Sequence, residues 1–233
     1  MDMENIKPFL MPGAVVIAGG LIAASVIATS EVEPEPAAVG GDQTASRVVS
    51  AEELDQTVRF VDRSQTDGSA VGDPEAPVVM YEYSDYVCPF CRRHWQETLP
   101  QLKEQYVETG DLRVVYKDFP VVGGDRAAEA SRCAEEQGEF WAYHDLLYSR
   151  QELDRAQWGE VDIHLDYAEY LGLDTAELES CFEERRYQAS VQAEAEEAVE
   201  AGGSGTPFFV IGDETIGGAH PFEVFVEVIE SQL

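Results

Sequence analysis

Residues 78–100 read VVMYEYSDYVCPFCRRHWQETLP, and their pattern predicts a strand that leads directly into a helix. The first half is apolar, β-branched and aromatic, which is typical of a buried strand. An amphipathic segment then begins at Cys88-Pro89-Phe90-Cys91. Proline suits the first turn of a helix because the N–H that it lacks would have no partner there. The two cysteines are therefore predicted at the junction of a strand and a helix N-terminus.

The predicted position of Cys88 favours an ionised sulfur. The first turn of a helix has unpaired N–H groups and the positive end of the helix dipole, and both stabilise a thiolate over a thiol. Cys91 follows one turn along the same helix, where its sulfur can form a disulfide with Cys88. The spacing thus indicates redox chemistry, although a lone CxxC pair is also common in zinc sites.

The charge of the chain excludes one large class of function. The 233 residues include 46 acidic and 15 basic ones, which gives a formal net charge of -31. Nucleic-acid binding requires clusters of basic residues, so we expect no nucleic-acid partner. Lysine is rare, yet 44% of the chain is hydrophobic, which argues against general disorder. This combination suggests halophilic adaptation.

Residues 9–30 contain no charged side chain and read FLMPGAVVIAGGLIAASVIATS. A run of this length can span a bilayer as a helix, so we expect a transmembrane anchor; a cleaved signal peptide is the alternative. Lys7 precedes the run and the next basic residue is Arg47, which places residues 1–8 in the cytoplasm by the positive-inside rule. The rest of the chain would lie outside the cytoplasm, where disulfides persist.

Residues 31–72 are rich in Glu, Pro, Gly, Ala and Ser, and they begin with EVEPEPAAVGGDQTAS. Such a segment cannot bury much apolar surface. We therefore expect an acidic flexible linker here, followed by one folded domain over residues 73–233.

The folded domain is predicted to combine strands and helices. After the CxxC pair the helix should continue to Gly110, and residues 112–119 (LRVVYKDF) should form the next strand. Residues 124–186 show helical periodicity, and an Ala/Glu-rich segment extends the helical region to residue 201. Two short strands, FFVIG and ETIGG, and a final helix from Pro221 complete an α/β fold.

The order of these elements and two short motifs resemble a known family. The motifs are CPFC at residues 88–91 and GTP at residues 205–207, and the helical insertion lies between them. Together they resemble the DsbA-like branch of the thioredoxin superfamily over residues 73–233. The resemblance implies a thioredoxin fold with an inserted helical subdomain at about residues 124–186, preceded by the N-terminal transmembrane helix.

The resemblance also implies roles for the motif residues. Cys88 would be the nucleophile, and Cys91 would resolve the mixed disulfide. The family is known for a depressed cysteine pKa and an oxidising potential. Thr206-Pro207 would form a cis-proline turn that faces the cysteines. The substrate-binding residues implied in this way are Pro89, Phe90, Thr206 and Pro207.

Glu82 is the third catalytic candidate. It lies in the predicted central strand, where a buried carboxylate is costly unless it has a function. The family places an acidic residue here as a proton acceptor for the second cysteine, which implies that Glu82 assists deprotonation of Cys91. The alternative is a glutamate on a half-exposed strand face, paired with an arginine.

Cys133 and Cys181 both lie in the predicted helical insertion. In an exported domain with four cysteines we expect them to form a structural disulfide, with two buried free thiols as the alternative. A zinc site made of all four cysteines lacks a second CxxC motif. His94 follows Cys91 by three residues, and we expect it on the helix surface or partly packed rather than bound to a metal.

These features predict a membrane-tethered thiol:disulfide oxidoreductase, with a protein disulfide oxidase as the first choice. It would exchange disulfides with exported proteins, with a redox partner in the membrane. It would need no metal or organic cofactor beyond the Cys88–Cys91 pair. Phe90 supplies no ionisable group between the cysteines, so an isomerase or a reductase is an alternative. A metal-binding or chaperone module that uses the same cysteines is another.

Overall fold

A six-stranded mixed sheet forms the centre of the protein in a computed structural model, which describes residues 66–233. The strands are β1 (Thr66–Asp67), β2 (Ala70–Val71), β3 (Val78–Ser84), β4 (Leu112–Asp118), β5 (Phe208–Ile211) and β6 (Glu214–Gly217). Their order across the sheet is β1-β2-β4-β3-β5-β6. β3 and β4 pair in parallel, whereas the other neighbouring strands pair antiparallel.

The α-helices of the described residues lie mostly in one stretch of the chain. They are α1 (Pro89–Glu97), α2 (Leu99–Leu102), α3 (Asp125–Glu136), α4 (Phe140–Asp154), α5 (Val161–Leu171), α6 (Thr175–Glu183), α7 (Gln188–Glu200) and α8 (Phe222–Glu230). Helices α3 to α7 all fall between β4 and β5 in the sequence. The α/β class and the long helical region between these two strands are therefore as predicted.

β3 carries the chain to the CxxC pair. It pairs with β4 on one side and with β5 on the other, and most of its side chains are buried. β-branched and aromatic residues fit such a strand because they pack well on a pleated surface that is covered. The strand ends at Ser84 and α1 begins at Pro89, so the two cysteines lie at the carboxyl end of a central strand.

The helix that starts at the CxxC pair is shorter than predicted. α1 ends at Glu97, α2 spans only 4 residues, and a π-helical turn, Lys103–Val107, follows. Pro100 explains the break, because proline has no N–H to donate to the preceding turn and its ring clashes there. The prediction of one continuous helix as far as Gly110 is therefore wrong, although most of these residues are helical.

Residues 66–71 correct the predicted start of the folded domain. They form β1 and β2, and β2 pairs with β4, so the expectation of a flexible linker as far as residue 72 is wrong for this part. Val71 is 1% exposed and belongs to the core. Strands of two residues are too short to show the alternating pattern by which a strand is predicted.

The predicted cytoplasmic residues 1–8, the anchor at residues 9–30 and the linker up to residue 65 lie outside the described residues. From residue 66 onward, the helices are all too short or too polar to cross a membrane.

A disulfide links two helices of the helical region. Cys133 in α3 is bonded to Cys181 in α6, and both side chains are buried. This is the pair for which the sequence suggests a structural disulfide. In this structure neither sulfur is a thiol or a metal ligand.

Replacing Cys133 and Cys181 together with serine should lower the free energy of unfolding by about 2–4 kcal/mol, because the unfolded chain regains the freedom that the cross-link removes. Thiol exchange at Cys88 should be largely unchanged, since the disulfide joins α3 to α6 and the CxxC pair lies at the start of α1. Urea unfolding of both proteins measures the difference. Peptide mapping of the non-reduced parent is the control, and two free thiols there would contradict the prediction.

Candidate functional site

Cys88 and Cys91 lie together at the start of α1. Cys88 caps the helix, Pro89 is its first residue, and both cysteines are free thiols. Cys88 is 3% exposed and Cys91 is fully buried. Phe90, between them, is 54% exposed and presents its ring to solvent. The strand-to-helix junction predicted for the cysteines is therefore present.

The pKa of Cys88 is lowered to about 5. The main cause is a hydrogen bond from the Cys91 thiol to the Cys88 sulfur. The backbone N–H groups of Phe90 and Cys91 add to it, whereas burial acts in the opposite direction. The helix N-terminus expected from the sequence thus contributes, but the neighbouring thiol contributes more. At neutral pH Cys88 is a thiolate in the reduced protein.

Cys91 has the opposite character. Burial raises its pKa well above the usual value, and the neighbouring Cys88 raises it further. The backbone N–H of Asp85 donates to the Cys91 sulfur over 3.5 Å. The reduced site is therefore a thiolate–thiol pair in which the proton stays on Cys91.

The turn at Thr206-Pro207 completes the surroundings of Cys88. Its peptide bond is cis, and the carbonyl oxygen of Thr206 lies 3.4 Å from the Cys88 sulfur. The turn directly precedes β5, and the pairing of β5 with β3 brings it to the CxxC pair from far away in the sequence. Backbone polar groups of Thr206 therefore lie beside the reactive sulfur.

Glu82 is buried in β3, in register with Tyr116 of β4 and Phe209 of β5, and it is 1% exposed. The alternative of a half-exposed glutamate is therefore wrong. Its Oε1 accepts a hydrogen bond of 3.1 Å from the Ser84 hydroxyl, and its Oε2 lies 3.6 Å from Nε2 of His94. Burial raises the pKa of Glu82, but His94 and smaller contributions from other groups outweigh it, so the pKa lies below the usual range.

His94 is also buried, so the prediction of a surface or partly packed position is wrong. It is 1% exposed, and its ring centroid lies 4.5 Å from that of Phe209 and 5.3 Å from that of Phe225. Residues three apart on a helix share a face, and Cys91 is on the buried face of α1. That spacing is the signal that could have located His94. The two-residue period of β3, which puts Ser84 on the same face as Glu82, could likewise have indicated Ser84.

A family model described as thioredoxin matches residues 64–231, which is most of the chain. The chain belongs to the thioredoxin family. The central sheet, the CxxC pair at the start of α1 and the cis-proline turn are thus parts of a thioredoxin-family framework, and the thioredoxin fold predicted from the sequence is confirmed.

Two relatives are similar to this thioredoxin-family chain in sequence. The Na(+)/H(+) antiporter NhaA 3 of Salinispora tropica is 32% identical over 164 residues, which are 69% of this chain and 24% of the antiporter. The probable disulfide bond formation protein D of Bacillus cereus is 32% identical over 100 residues, which are 41% of this chain and 46% of the relative. The chain thus spans about a quarter of one relative and less than half of the other.

A solved structure extends the similarity to the whole fold. The crystal structure of alpha-DsbA1 from Wolbachia pipientis has a TM-score of 0.63 and 20% sequence identity, and the match covers 77% of this chain and 95% of that one. The thioredoxin-family fold described above is therefore similar to that of a DsbA protein, and the resemblance to the DsbA-like branch is confirmed.

Among residues 66–233, no group of three or more histidine, cysteine, aspartate and glutamate side chains is arranged to hold a metal ion. The disulfide leaves Cys88 and Cys91 as the free thiols of the chain. The site therefore consists of a thiolate–thiol pair, a buried carboxylate and the cis-proline turn.

Proposed function

We propose that the protein is a thiol:disulfide oxidoreductase that acts as a protein disulfide oxidase through Cys88 and Cys91. The observation that carries the proposal is the placement of the pair: Cys88 caps the N-terminus of α1 beside the cis Thr206-Pro207 turn, and Cys91 is fully buried. Cys88 has a pKa of about 5, beside a buried Cys91 that keeps its proton. An ionised, stabilised sulfur is an effective attacking group and also a good leaving group. The similarity to a disulfide bond formation protein supports the same chemistry.

The oxidised enzyme would act in two exchange steps. A substrate thiolate attacks the Cys88 sulfur and breaks the Cys88–Cys91 bond, and Cys91 leaves and takes up a proton. The second substrate thiolate then attacks the substrate sulfur of the mixed disulfide and expels Cys88 as a thiolate. The substrate loses two electrons and gains a disulfide, while the enzyme becomes a dithiol.

The low pKa of Cys88 favours the oxidase direction. A thiolate that is stabilised in the reduced protein makes reduction of the Cys88–Cys91 disulfide more favourable, so the disulfide is a stronger oxidant. The comparison is with a dithiol of ordinary cysteine pKa. Against it, the stabilisation of the Cys88 thiolate is fully present at pH values above the usual cysteine pKa, and it is lost as the pH falls through about 5. Relative to an ordinary disulfide, the enzyme is therefore expected to be a weaker oxidant in acid than at neutral pH.

Substrates would bind beside the exposed ring of Phe90 and the backbone of Thr206, which border the Cys88 sulfur. An exposed stretch of backbone can accept an extended peptide through main-chain hydrogen bonds. Pro89 and Pro207, the neighbours of these residues in the two motifs, would complete the contact surface.

Glu82 would accept the proton of Cys91. It is buried beneath the pair and has a pKa below the usual range, so its carboxylate is ionised and can take up a proton. This role is needed when the dithiol is reoxidised, because Cys91 must then become a thiolate to displace the partner from Cys88.

The enzyme would work outside the cytoplasm, tethered by residues 9–30. Its substrates would be exported proteins, and a redox partner in the membrane would reoxidise it. The Cys133–Cys181 disulfide supports an oxidising compartment. No metal or organic cofactor is required, because the Cys88–Cys91 pair itself carries the two electrons.

Rapid alkylation of the reduced protein across pH tests the proposal. Cys88 should react with iodoacetamide with an apparent pKa of about 5, whereas Cys91 should stay unmodified at neutral pH until the protein is unfolded. Mass spectrometry of the peptides identifies the modified sulfur. If Cys91 proved more reactive, or if both sulfurs titrated like free cysteine, the proposal would fail and a metal-binding module would be favoured.

The acidic composition leads to a separate prediction about salt. A net charge of -31 makes the compact state repel itself, and the repulsion reaches further in dilute buffer because the screening length grows. The thermal midpoint should therefore fall when molar KCl is replaced by dilute buffer. Sucrose of equal osmolarity is the non-ionic control. An unchanged midpoint would count against halophilic adaptation.

A further inference from the structure

Several buried polar atoms behind Cys91 have no hydrogen-bond partner in the described part of the chain. They are both ring nitrogens of His94 and Oε2 of Glu82. Nε2 of His94 and Oε2 of Glu82 face each other at 3.6 Å. Buried polar atoms of this kind are rare because desolvation is costly. A histidine and a glutamate that face each other in this way therefore require a functional explanation.

Ser84 connects this pair to the reacting sulfur. Its hydroxyl donates to Oε1 of Glu82 over 3.1 Å. Ser84 also interacts with the Cys91 sulfur: burial raises the pKa of Cys91, and Ser84 acts against that increase. The N–H of Asp85 donates to the same sulfur, which holds it at the end of β3. Among residues 66–233, no hydrogen bond joins Cys91 directly to Glu82. The contacts therefore run from Cys91 through Ser84 to Glu82.

We propose that Ser84 is a catalytic residue that relays the proton between Cys91 and Glu82, and that His94 is a positioning residue that keeps Glu82 ionised. The inference rests on the proposed oxidoreductase function. In the resolving step Cys91 gives its proton to the Ser84 oxygen, while the Ser84 hydroxyl passes its own proton to Glu82. The Cys91 thiolate then attacks the Cys88 sulfur of the mixed disulfide, closes the Cys88–Cys91 bond and expels the partner as a thiolate.

His94 is suited to this positioning role. Burial raises the pKa of Glu82, and His94 makes the largest contribution that lowers it. Other titratable groups also act on Glu82 or surround His94. His144, Lys103 and Tyr148 interact electrostatically with Glu82, and Arg93, Glu97, His220 and Glu223 line a cavity that His94 also borders. Nε2 of His94 is the nitrogen that faces the free oxygen of Glu82. His94 should therefore affect the pKa of Glu82 more than the other groups do.

Stopped-flow oxidation of the reduced protein by the aromatic disulfide DTNB separates the two sulfur reactions. The Cys88 thiolate attacks the reagent and releases one coloured aryl thiolate. Cys91 then attacks the Cys88 sulfur and releases a second one, so the protein loses two electrons and the reagent becomes two thiolates. The first phase reports on Cys88 and the second on deprotonation of Cys91.

Ser84→Ala should slow the second phase by about tenfold or more, since it removes the relay to a general base, and should leave the first phase unchanged. Ser131→Ala is the matched control, because Ser131 is another fully buried serine whose hydroxyl donates to a backbone carbonyl.

Without any substitution, the second phase of the parent protein should slow in D2O while the first should not. Equal second phases in Ser84→Ala and the parent, or no isotope effect, would overturn the relay.

His94→Phe retains an aromatic ring against Phe209 and Phe225 but removes both ring nitrogens. The pKa of Glu82 should then rise, so the pH profile of the second phase should move to higher pH. The rate should be about tenfold lower at pH 6 and should approach the parent rate at pH 9. His94→Gln, which retains a donor, should shift the profile less. An unshifted profile in His94→Phe would overturn the positioning role.

The Glu82→Gln background distinguishes a proton path from structural damage. Once the acceptor is absent, neither Ser84→Ala nor His94→Phe should slow the second phase further. Additive slowing would overturn the inference. A parent protein without a fast first phase would instead contradict the proposed function itself, so the two failures are distinguishable in one trace.

Discussion

Replacing Cys91 with serine should trap the enzyme as a mixed disulfide between Cys88 and a substrate protein. The Cys88 thiolate still attacks a substrate disulfide and expels one of its two sulfurs as a thiolate, because the backbone N–H groups of the helix start still stabilise the Cys88 thiolate. Resolution stops, because the sulfur that closes the Cys88–Cys91 bond is missing. Cys88→Ser should form no adduct, since the remaining thiol is fully buried and keeps its proton. Catalysed disulfide exchange should fall to background in both variants.

Non-reducing electrophoresis after incubation of the reduced variants with an unfolded protein that contains a disulfide measures the trapping, and mass spectrometry identifies the bonded sulfur. The double substitution of Cys133 and Cys181 by serine is the matched control, because it removes two sulfurs without touching the pair and should trap nothing. An adduct on Cys91 in Cys88→Ser would reverse the roles of the two cysteines.

Local patterns predicted the position of the CxxC pair well. The apolar run of residues 78–84 and the proline after Cys88 are short-range signals, and they correctly placed the strand end and the helix start. The sequence correctly predicted that the pKa of Cys88 is lowered, but it did not predict the main cause. Its largest contribution comes from the Cys91 thiol, whose orientation depends on packing against Ser84 and Asp85 rather than on the CxxC spacing.

Long-range packing explains what the sequence left open. Glu82 had two interpretations because neighbouring tyrosines obscured which face of β3 is covered, and the pairing with β4 and β5 decides it. His94 was misplaced because its polarity suggested solvent, whereas the aromatic rings of Phe209 and Phe225 enclose it. The pairing with β5 and the contacts with the two phenylalanines join residues more than one hundred positions apart, which no local pattern records.

A buried ion cluster ties the helical region to the sheet. The guanidinium of Arg132 in α3 donates to Asp118 of β4 over 2.7 Å, to Glu194 of α7 over 2.7 Å and to Glu135 over 3.0 Å. Arg132 is 6% exposed and Asp118 is 1% exposed. The three carboxylates raise the pKa of Arg132 well above its usual value despite burial. Arg132 therefore holds three negative groups together, and Lys117 lies 3.6 Å from one of them, Glu194.

Arg132→Met should lower the free energy of unfolding by about 3–5 kcal/mol at neutral pH, because it leaves the buried carboxylate of Asp118 without a counter-ion. The decrease in the free energy of unfolding should be smaller in acid. Burial raises the pKa of Glu194 and Arg132 lowers it, so without Arg132 this pKa should lie further above that of the unfolded chain. The folded state then takes up a proton and regains stability as the pH falls. The pKa of Glu194 is raised by burial even with Arg132 present. Urea unfolding at pH 7 and pH 5 measures both effects.

Arg186→Met is the matched control for burial. Its guanidinium also contacts three carboxylates, those of Glu136, Glu177 and Glu184, but it lies at the surface. Water and salt screen such pairs, so the same substitution should cost far less there. Equal losses in the two variants would mean that charge number rather than burial determines the cost. A loss in Arg132→Met that did not shrink in acid would mean that lost packing, and not an uncompensated buried charge, destabilises the fold.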